Sequence, residues 1–147
     1  MNRAQCIVHR GAEILMVRHC LYGDEWWCLP GGGVEPGESS AQAALRELKE
    51  ECCVEGEITR LLSSYTDDEG TDSITYLIDI GDQQPHMGSD PELIHREQIL
   101  KEIRWMKLEE ISERDRAYLW ASGLLCVPVF LAEVSSWGDV ISYPVHK

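Results

Sequence analysis

The chain has 147 residues, 44% hydrophobic and 27% charged, the size and composition of one folded domain and of neither a disordered nor a fibrous class. Its 26 acidic against 13 basic side chains give a formal charge of −13, so the mean surface potential repels nucleic-acid phosphates and anionic lipid, and no nucleic acid polymer or membrane is expected as a partner. A small anionic substrate meets the same repulsion unless cations offset it locally, and clustered carboxylates are a natural seat for a divalent ion.

Residues 4–9 and 13–19 are short apolar runs joined at Arg10, Gly11 and Ala12, which predicts a hairpin. Residues 26–29 predict a third strand. It runs into Pro30, Gly31, Gly32, Gly33, Val34, Glu35, Pro36 and Gly37, a stretch whose composition reads as loop. A helix is expected from Ser39, where Ser39 and Gln42 stand at capping-box spacing. Its apolar positions Ala41, Ala44, Leu45, Leu48 and Cys52 fall at i, i+3, i+4, i+7 and i+11. Residues 57–65 and 73–80 predict strands separated by the acidic turn 66–72, which contains Asp67, Asp68 and Glu69. A polar loop follows over 81–91, then a strand over 102–106 and helical pieces over 108–111 and 115–121. Segments 127–134, which contains Pro128, and 140–145 are ambiguous between helix and strand. No repeat or linker interrupts the chain, so a single domain over 1–147 is expected.

The cysteines Cys6, Cys20, Cys28, Cys52, Cys53 and Cys126 show no C-x-x-C spacing, and neither zinc nor a disulfide framework is indicated. Residues 1–10 hold no apolar stretch fit for a signal peptide, and no run of roughly 18 uncharged apolar residues occurs. A cytoplasmic location is the resulting expectation, and a homodimer is left open.

The helix carries more acid than stability explains. With Ala41 at zero on a helical wheel, Glu47, Glu50 and Glu51 fall at roughly 240°, 180° and 280°, one face, expected opposite the apolar stripe. Like charges at these spacings repel by roughly 0.2 to 0.5 kcal/mol per pair, and only Arg46, four residues before Glu50, is placed to offset them. They also occupy the last turns, where the macrodipole disfavours anions by roughly 0.3 to 1 kcal/mol each. A glycine-rich stretch just ahead of the helix lets a polyphosphate or metal approach backbone. Oxygen-only ligation favours Mg²⁺ or Mn²⁺ over zinc.

Gly32, Glu38, Arg46, Glu47, Leu48, Glu50, Glu51 and Val54 spell a pattern that resembles the Nudix box, G-x5-E-x7-R-E-U-x-E-E-x-G-U with U aliphatic. Every fixed position matches except the last glycine, where Cys53 stands. The resemblance implies an α/β/α sandwich around a mixed β-sheet and Mg²⁺-dependent hydrolysis of a nucleoside diphosphate linked to another moiety, the metal activating a water that attacks phosphorus. It implies Glu50 and Glu51 as metal ligands, Glu47 as a further ligand or the catalytic base, Arg46 as the cation that orients them, and Glu38 as a residue that fixes the loop or outer metal shell. Cys53 implies a strained helix end or a stop delayed towards Gly56.

Gly32 and Gly33 are expected to offer backbone to the substrate. Arg18 and Trp27, with Trp26 and Tyr22 beside it, are nominated to meet phosphate and base, against the plainer reading of ion pairing and core packing. No proline follows the box where ADP-ribose hydrolases of the family carry one, and Tyr65 and Tyr76 miss the spacing of the dinucleoside-polyphosphate type. The expected substrate is therefore a nucleoside triphosphate or a less standard nucleotide. A loop carboxylate completing the site is sought among Asp67, Asp68, Glu69, Glu92 and Glu97. The rival reading is a Nudix-like sensor that binds a nucleotide without cutting it, whose mark would be lost ligands.

Overall fold

In a computed structural model, which describes residues 2–88 and 99–137, the chain runs β1 (Arg3–Ile7), β2 (His9–Arg10), β3 (Glu13–Leu21), β4 (Asp24–Cys28), β5 (Gly31–Gly33), α1 (Ser40–Cys52), β6 (Glu57–Thr66), β7 (Asp72–Asp79), β8 (Ile99–Lys107), α2 (Glu113–Ala121) and α3 (Pro128–Ser136). The candidates Glu92 and Glu97 and the segment 140–145 lie outside the described residues. No helix among the described residues is long and apolar enough to cross a membrane.

Strand β1 is central to one sheet, in the order β5-β1-β7-β6, with β7 parallel to it and β5 antiparallel. A second, antiparallel sheet is built on β3, which pairs with β2 and β4 along one edge and with β8 along the other. Among the described residues the expected mixed α/β architecture is built from two four-stranded sheets, one of them mixed. The expected hairpin shrinks to the pairs His9 with Ile14 and Arg10 with Glu13. The rest of the first apolar run leaves for the other sheet because its residues from Ala4 to Ile7 are buried on both faces, as a central strand requires.

Alternation along β1 and β3 divides the interior into two cores. Ala4, Cys6, Leu15 and Val17 pack with Ala43, Ala44, Leu48 and Cys52 of α1. Ile7, Ile14 and Met16 pack with Leu119 and Phe130 of α2 and α3. Helices therefore cover both sides, as the expected sandwich requires. Pro128 opens α3 rather than interrupting it, because a missing N–H is harmless at a first helical position.

The Gly31–Gly33 stretch, expected as loop, is an edge strand in register with Gln5, Ala4 and Arg3. A Cβ at Gly31 would lie 2.5 Å from the Ala4 carbonyl, so glycine is what permits the pairing. Helix α1 starts as expected, with Ser39 Oγ accepting from the Gln42 N–H and Gln42 Oε1 accepting from the Ser39 N–H. It ends at Cys53 in the left-handed region, φ 58° and ψ 33°, the strained alternative of the two. The N–H groups of His86 and Gly88 donate to the carbonyls of Cys52 and Glu51 at 2.9 and 2.8 Å, satisfying acceptors the last turn leaves open.

Candidate active site

Helix α1 buries Ala43, Ala44, Glu47, Leu48, Glu51 and Cys52, an arc centred near Glu51, at roughly 280° on the wheel. This corrects the expectation that the three glutamates face away from the core. Glu47 and Glu51 have no exposed surface, whereas the Glu50 side chain keeps a quarter of its surface, 25%. Apolar periodicity misplaced the face because the helix packs on strand β5, whose glycines present backbone and no side chains. The Gly31 N–H donates to Glu51 Oε1 at 2.8 Å. A Cβ at Gly32 would stand 2.4 Å from Glu47 Oε1, so the absent side chain is the space the carboxylate fills.

Arg46 holds the acidic face together. Its Nε and Nη2 donate to the two oxygens of Glu38 at 2.8 and 3.0 Å, its Nη1 donates to Glu47 at 2.9 Å and Glu50 at 3.2 Å, and its Nη2 also donates to the Gly33 carbonyl at 2.9 Å. Hydrogen bonding to Glu38 pushes the Arg46 pKa above its ordinary value despite the opposing cost of burial. Reciprocally, the guanidinium holds the Glu38 carboxyl below the usual carboxylate range. Such charge-assisted forks fix geometry as well as charge.

One member of the cluster was not nominated from sequence. Buried His19 places Nε2 3.4 Å from Glu51 Oε2 and stacks on Trp26 with ring centroids 6.0 Å apart. Its signal was positional: in β3, His19 shares parity with Leu15 and Val17, which face α1.

Arg18 and Trp27 lie on the other face, against the core that contains Met16. Arg18 is engaged by Glu25 at 2.7 Å and Glu102 at 3.0 Å and sits over the Trp27 ring. The structure does not bring Arg18 to the glutamates, and of the two adjacent tryptophans Trp26 is the one linked to them. Tyr22 is exposed at the β3–β4 turn with φ 51°. Asp67 is likewise exposed and accepts from the Glu69 and Thr71 N–H groups of its own turn.

A cleft of about 440 Å³ opens beside these residues, lined by Arg3, Gln5, Trp26, Trp27, Tyr65, Asp115 and others. Its floor is fixed: buried Gln5 donates to Thr75 Oγ1 at 2.8 Å and Ser122 Oγ at 2.9 Å, and accepts from the Tyr118 hydroxyl. Asp115, which is buried, accepts from the Trp27 N–H at 3.3 Å. The cleft therefore combines aromatic walls with a buried carboxylate, chemistry suited to a planar ligand that donates hydrogen bonds. Trp26 joins it to the glutamates through His19.

The family model described as the NUDIX domain matches residues 2–126. The chain belongs to the Nudix family. It is 38% identical over 79 residues to diphosphoinositol polyphosphate phosphohydrolase 3-beta of Bos taurus, 52% of this chain and 48% of that one. It thus spans about half the length of the curated relatives it matches. Among solved structures it is similar to an Ap4A hydrolase of C. elegans, TM-score 0.65 with 22% identity over 90% of this chain and 99% of that one. It is also similar to MutT from Aliivibrio salmonicida and Vibrio cholerae, TM-score 0.57 with 26% identity over 73% and 79%.

Nudix hydrolases generally use divalent metal ions, and the donor chemistry here fits one: three carboxylates within two turns, two of them wholly buried. Buried carboxylates are costly without compensating charge. Among the described residues no three His, Cys, Asp or Glu side chains converge closely enough to hold an ion. The reason is visible, since Glu47 and Glu50 turn to Arg46 and Glu51 turns to the Gly31 N–H.

Proposed function

We propose that this chain is a Nudix hydrolase that cuts a phosphoanhydride bond of a nucleoside triphosphate or related nucleotide, with Mg²⁺ as its ion and Mn²⁺ as a substitute. One observation carries the reading. Two fully buried glutamates are pressed on a strand of glycines, Glu47 braced by Arg46 and Glu51 by the Gly31 N–H, a costly arrangement that a divalent ion and a polyphosphate would offset. The nucleotide preference is supported by the adjoining cleft, whose tryptophans offer stacking and whose Asp115 offers an acceptor to base N–H groups. A diphosphoinositol ring would find no use for the aromatic walls.

In this reading Glu50 and Glu51 are the principal ligands, and Glu47 is either a third ligand or the acceptor of the attacking water's proton. The ion, when bound, neutralises charge developing on the phosphoryl oxygens. Arg46 sets the spacing of Glu47 and Glu50 and ties both to the Gly33 carbonyl. Glu38 holds the arginine plane. Gly32, without a side chain, lets Glu47 pack against the strand, and the Gly33 carbonyl accepts from Arg46. His19 fixes the second oxygen of Glu51 and turns Trp26 towards the cleft.

The test is a panel of nucleoside triphosphates, nucleotide sugars, dinucleoside polyphosphates and inositol pyrophosphates with Mg²⁺, following phosphate, pyrophosphate and mononucleotide release. Turnover of at least one triphosphate is expected. Turnover confined to inositol pyrophosphates would overturn the substrate class while leaving the chemistry of the helix intact.

A further inference from the structure

We infer that Arg3 binds the phosphate chain of the substrate where it leaves the cleft for the glutamates. The inference rests on the cleft being the nucleotide site. Arg3 opens β1 and pairs with Gly33 on one side and Ser73 on the other. Alternation puts Arg3 with Gln5 on the cleft face, while Ala4 and Cys6 enter the core beneath α1. Gly33 therefore stands between two arginines: Arg3 is its strand partner, and Arg46 donates to its carbonyl at 2.9 Å. Gly33 is thus the strand residue that links the cleft-lining Arg3 to the arginine that holds Glu47 and Glu50.

The two cations lining the cleft differ in how they are used. Arg114 is engaged, donating to Asp115 at 3.2 Å and the Glu25 carbonyl at 3.0 Å and lying 3.9 Å from Asp24. Arg3 is exposed, and its side chain enters none of the ion pairs or side-chain hydrogen bonds among the described residues. On a chain with 26 acidic side chains, a guanidinium kept clear of carboxylates at the mouth of a cleft is free to take an external anion. Its planar fork matches phosphate oxygens two at a time. It also supplies the local positive charge that the net charge of the chain otherwise denies an anionic substrate.

The experiment compares wild type, Arg3→Gln and Arg3→Lys by calorimetry with Mg²⁺. The probe is the nucleoside triphosphate that wild type turns over fastest, with methylene bridges in place of both anhydride oxygens, against the corresponding nucleoside. Arg3→Gln is expected to weaken triphosphate binding roughly tenfold or more, to leave nucleoside binding and Tm unchanged, and to lose its effect as salt rises. Arg3→Lys is expected to recover part of the loss. Equal weakening of both ligands would mark a structural role and overturn the inference, as would unchanged triphosphate binding. If wild type neither binds nor cleaves any triphosphate, the nucleotide reading itself falls and this assignment with it.

Discussion

Arg46 of α1 grips both oxygens of Glu38, which lies just ahead of the helix cap, at 2.8 and 3.0 Å. The same guanidinium reaches Glu47, Glu50 and the Gly33 carbonyl. The acidic residue that opens the box therefore acts at a distance on those that close it, by fixing the plane of one arginine.

Glu38→Gln should lower stability at neutral pH and loosen the cluster. The Arg46 guanidinium holds the Glu38 carboxyl below its ordinary range, so its contribution is fully present above the unfolded value of roughly 4.3 and is lost as pH falls through the folded value. Melting temperatures of wild type and variant measured across pH should thus differ above about pH 5 and converge in acid. A gap that stays constant down to the acid limit would mean that the ion pair is not its source.

Gly32→Ala should cost stability and most activity. The new methyl would meet Glu47 Oε1 at 2.4 Å, and overpacking of this kind costs roughly 1 to 3 kcal/mol. Urea unfolding reads the first effect and turnover the second.

Cys53→Gly should stabilise. The residue sits at φ 58°, which costs a side-chain-bearing residue roughly 1 to 2 kcal/mol. Part of that is returned by glycine's greater freedom when unfolded, leaving a gain of about 0.5 to 1 kcal/mol. The urea midpoint should rise with the slope unchanged.

Much of this was legible in the sequence, and where it failed the reasons are physical. Ser39 and Gln42 announced the helix start because a capping box is local chemistry. The strands β6 and β7 were readable from alternation on either side of the Asp67 turn. The glycine stretch was misread as loop because an edge strand on a close neighbour needs glycine for the very reason that glycine argues against strand. The orientation of α1 was misread because polar residues were assumed to face water, and Glu47 and Glu51 are instead buried on a surface made of backbone. Arg18 is nominated from the second strand, and Trp27 with Trp26 from their place just before the glycine stretch; strand alternation turns Arg18 away from the glutamates and links Trp26 to them through His19, while Trp27 lines the cleft. The cleft was illegible, since Gln5, Trp26 and Asp115 meet only through tertiary packing.

Trp26→Ala should raise KM for a nucleotide by roughly five- to a hundredfold, the range that stacking energies imply. Arg18→Gln should leave KM unchanged, because the ion pairs of Arg18 with Glu25 and Glu102 are partly exposed and lie off the cluster, contributing at most about 1 kcal/mol of stability. Steady-state kinetics on both variants decides between the two faces.

The central claim is that Glu47, Glu50 and Glu51 support metal-assisted phosphoanhydride hydrolysis. Glu50 is the partly exposed member, so Glu50→Gln relieves repulsion while weakening metal binding and should keep the fold. The decisive measurement is its turnover of a nucleoside triphosphate with Mg²⁺ beside wild type with Mg²⁺ and wild type in EDTA. A loss of roughly 100-fold in the variant and near-complete loss in EDTA are expected. Full turnover in either would contradict the account.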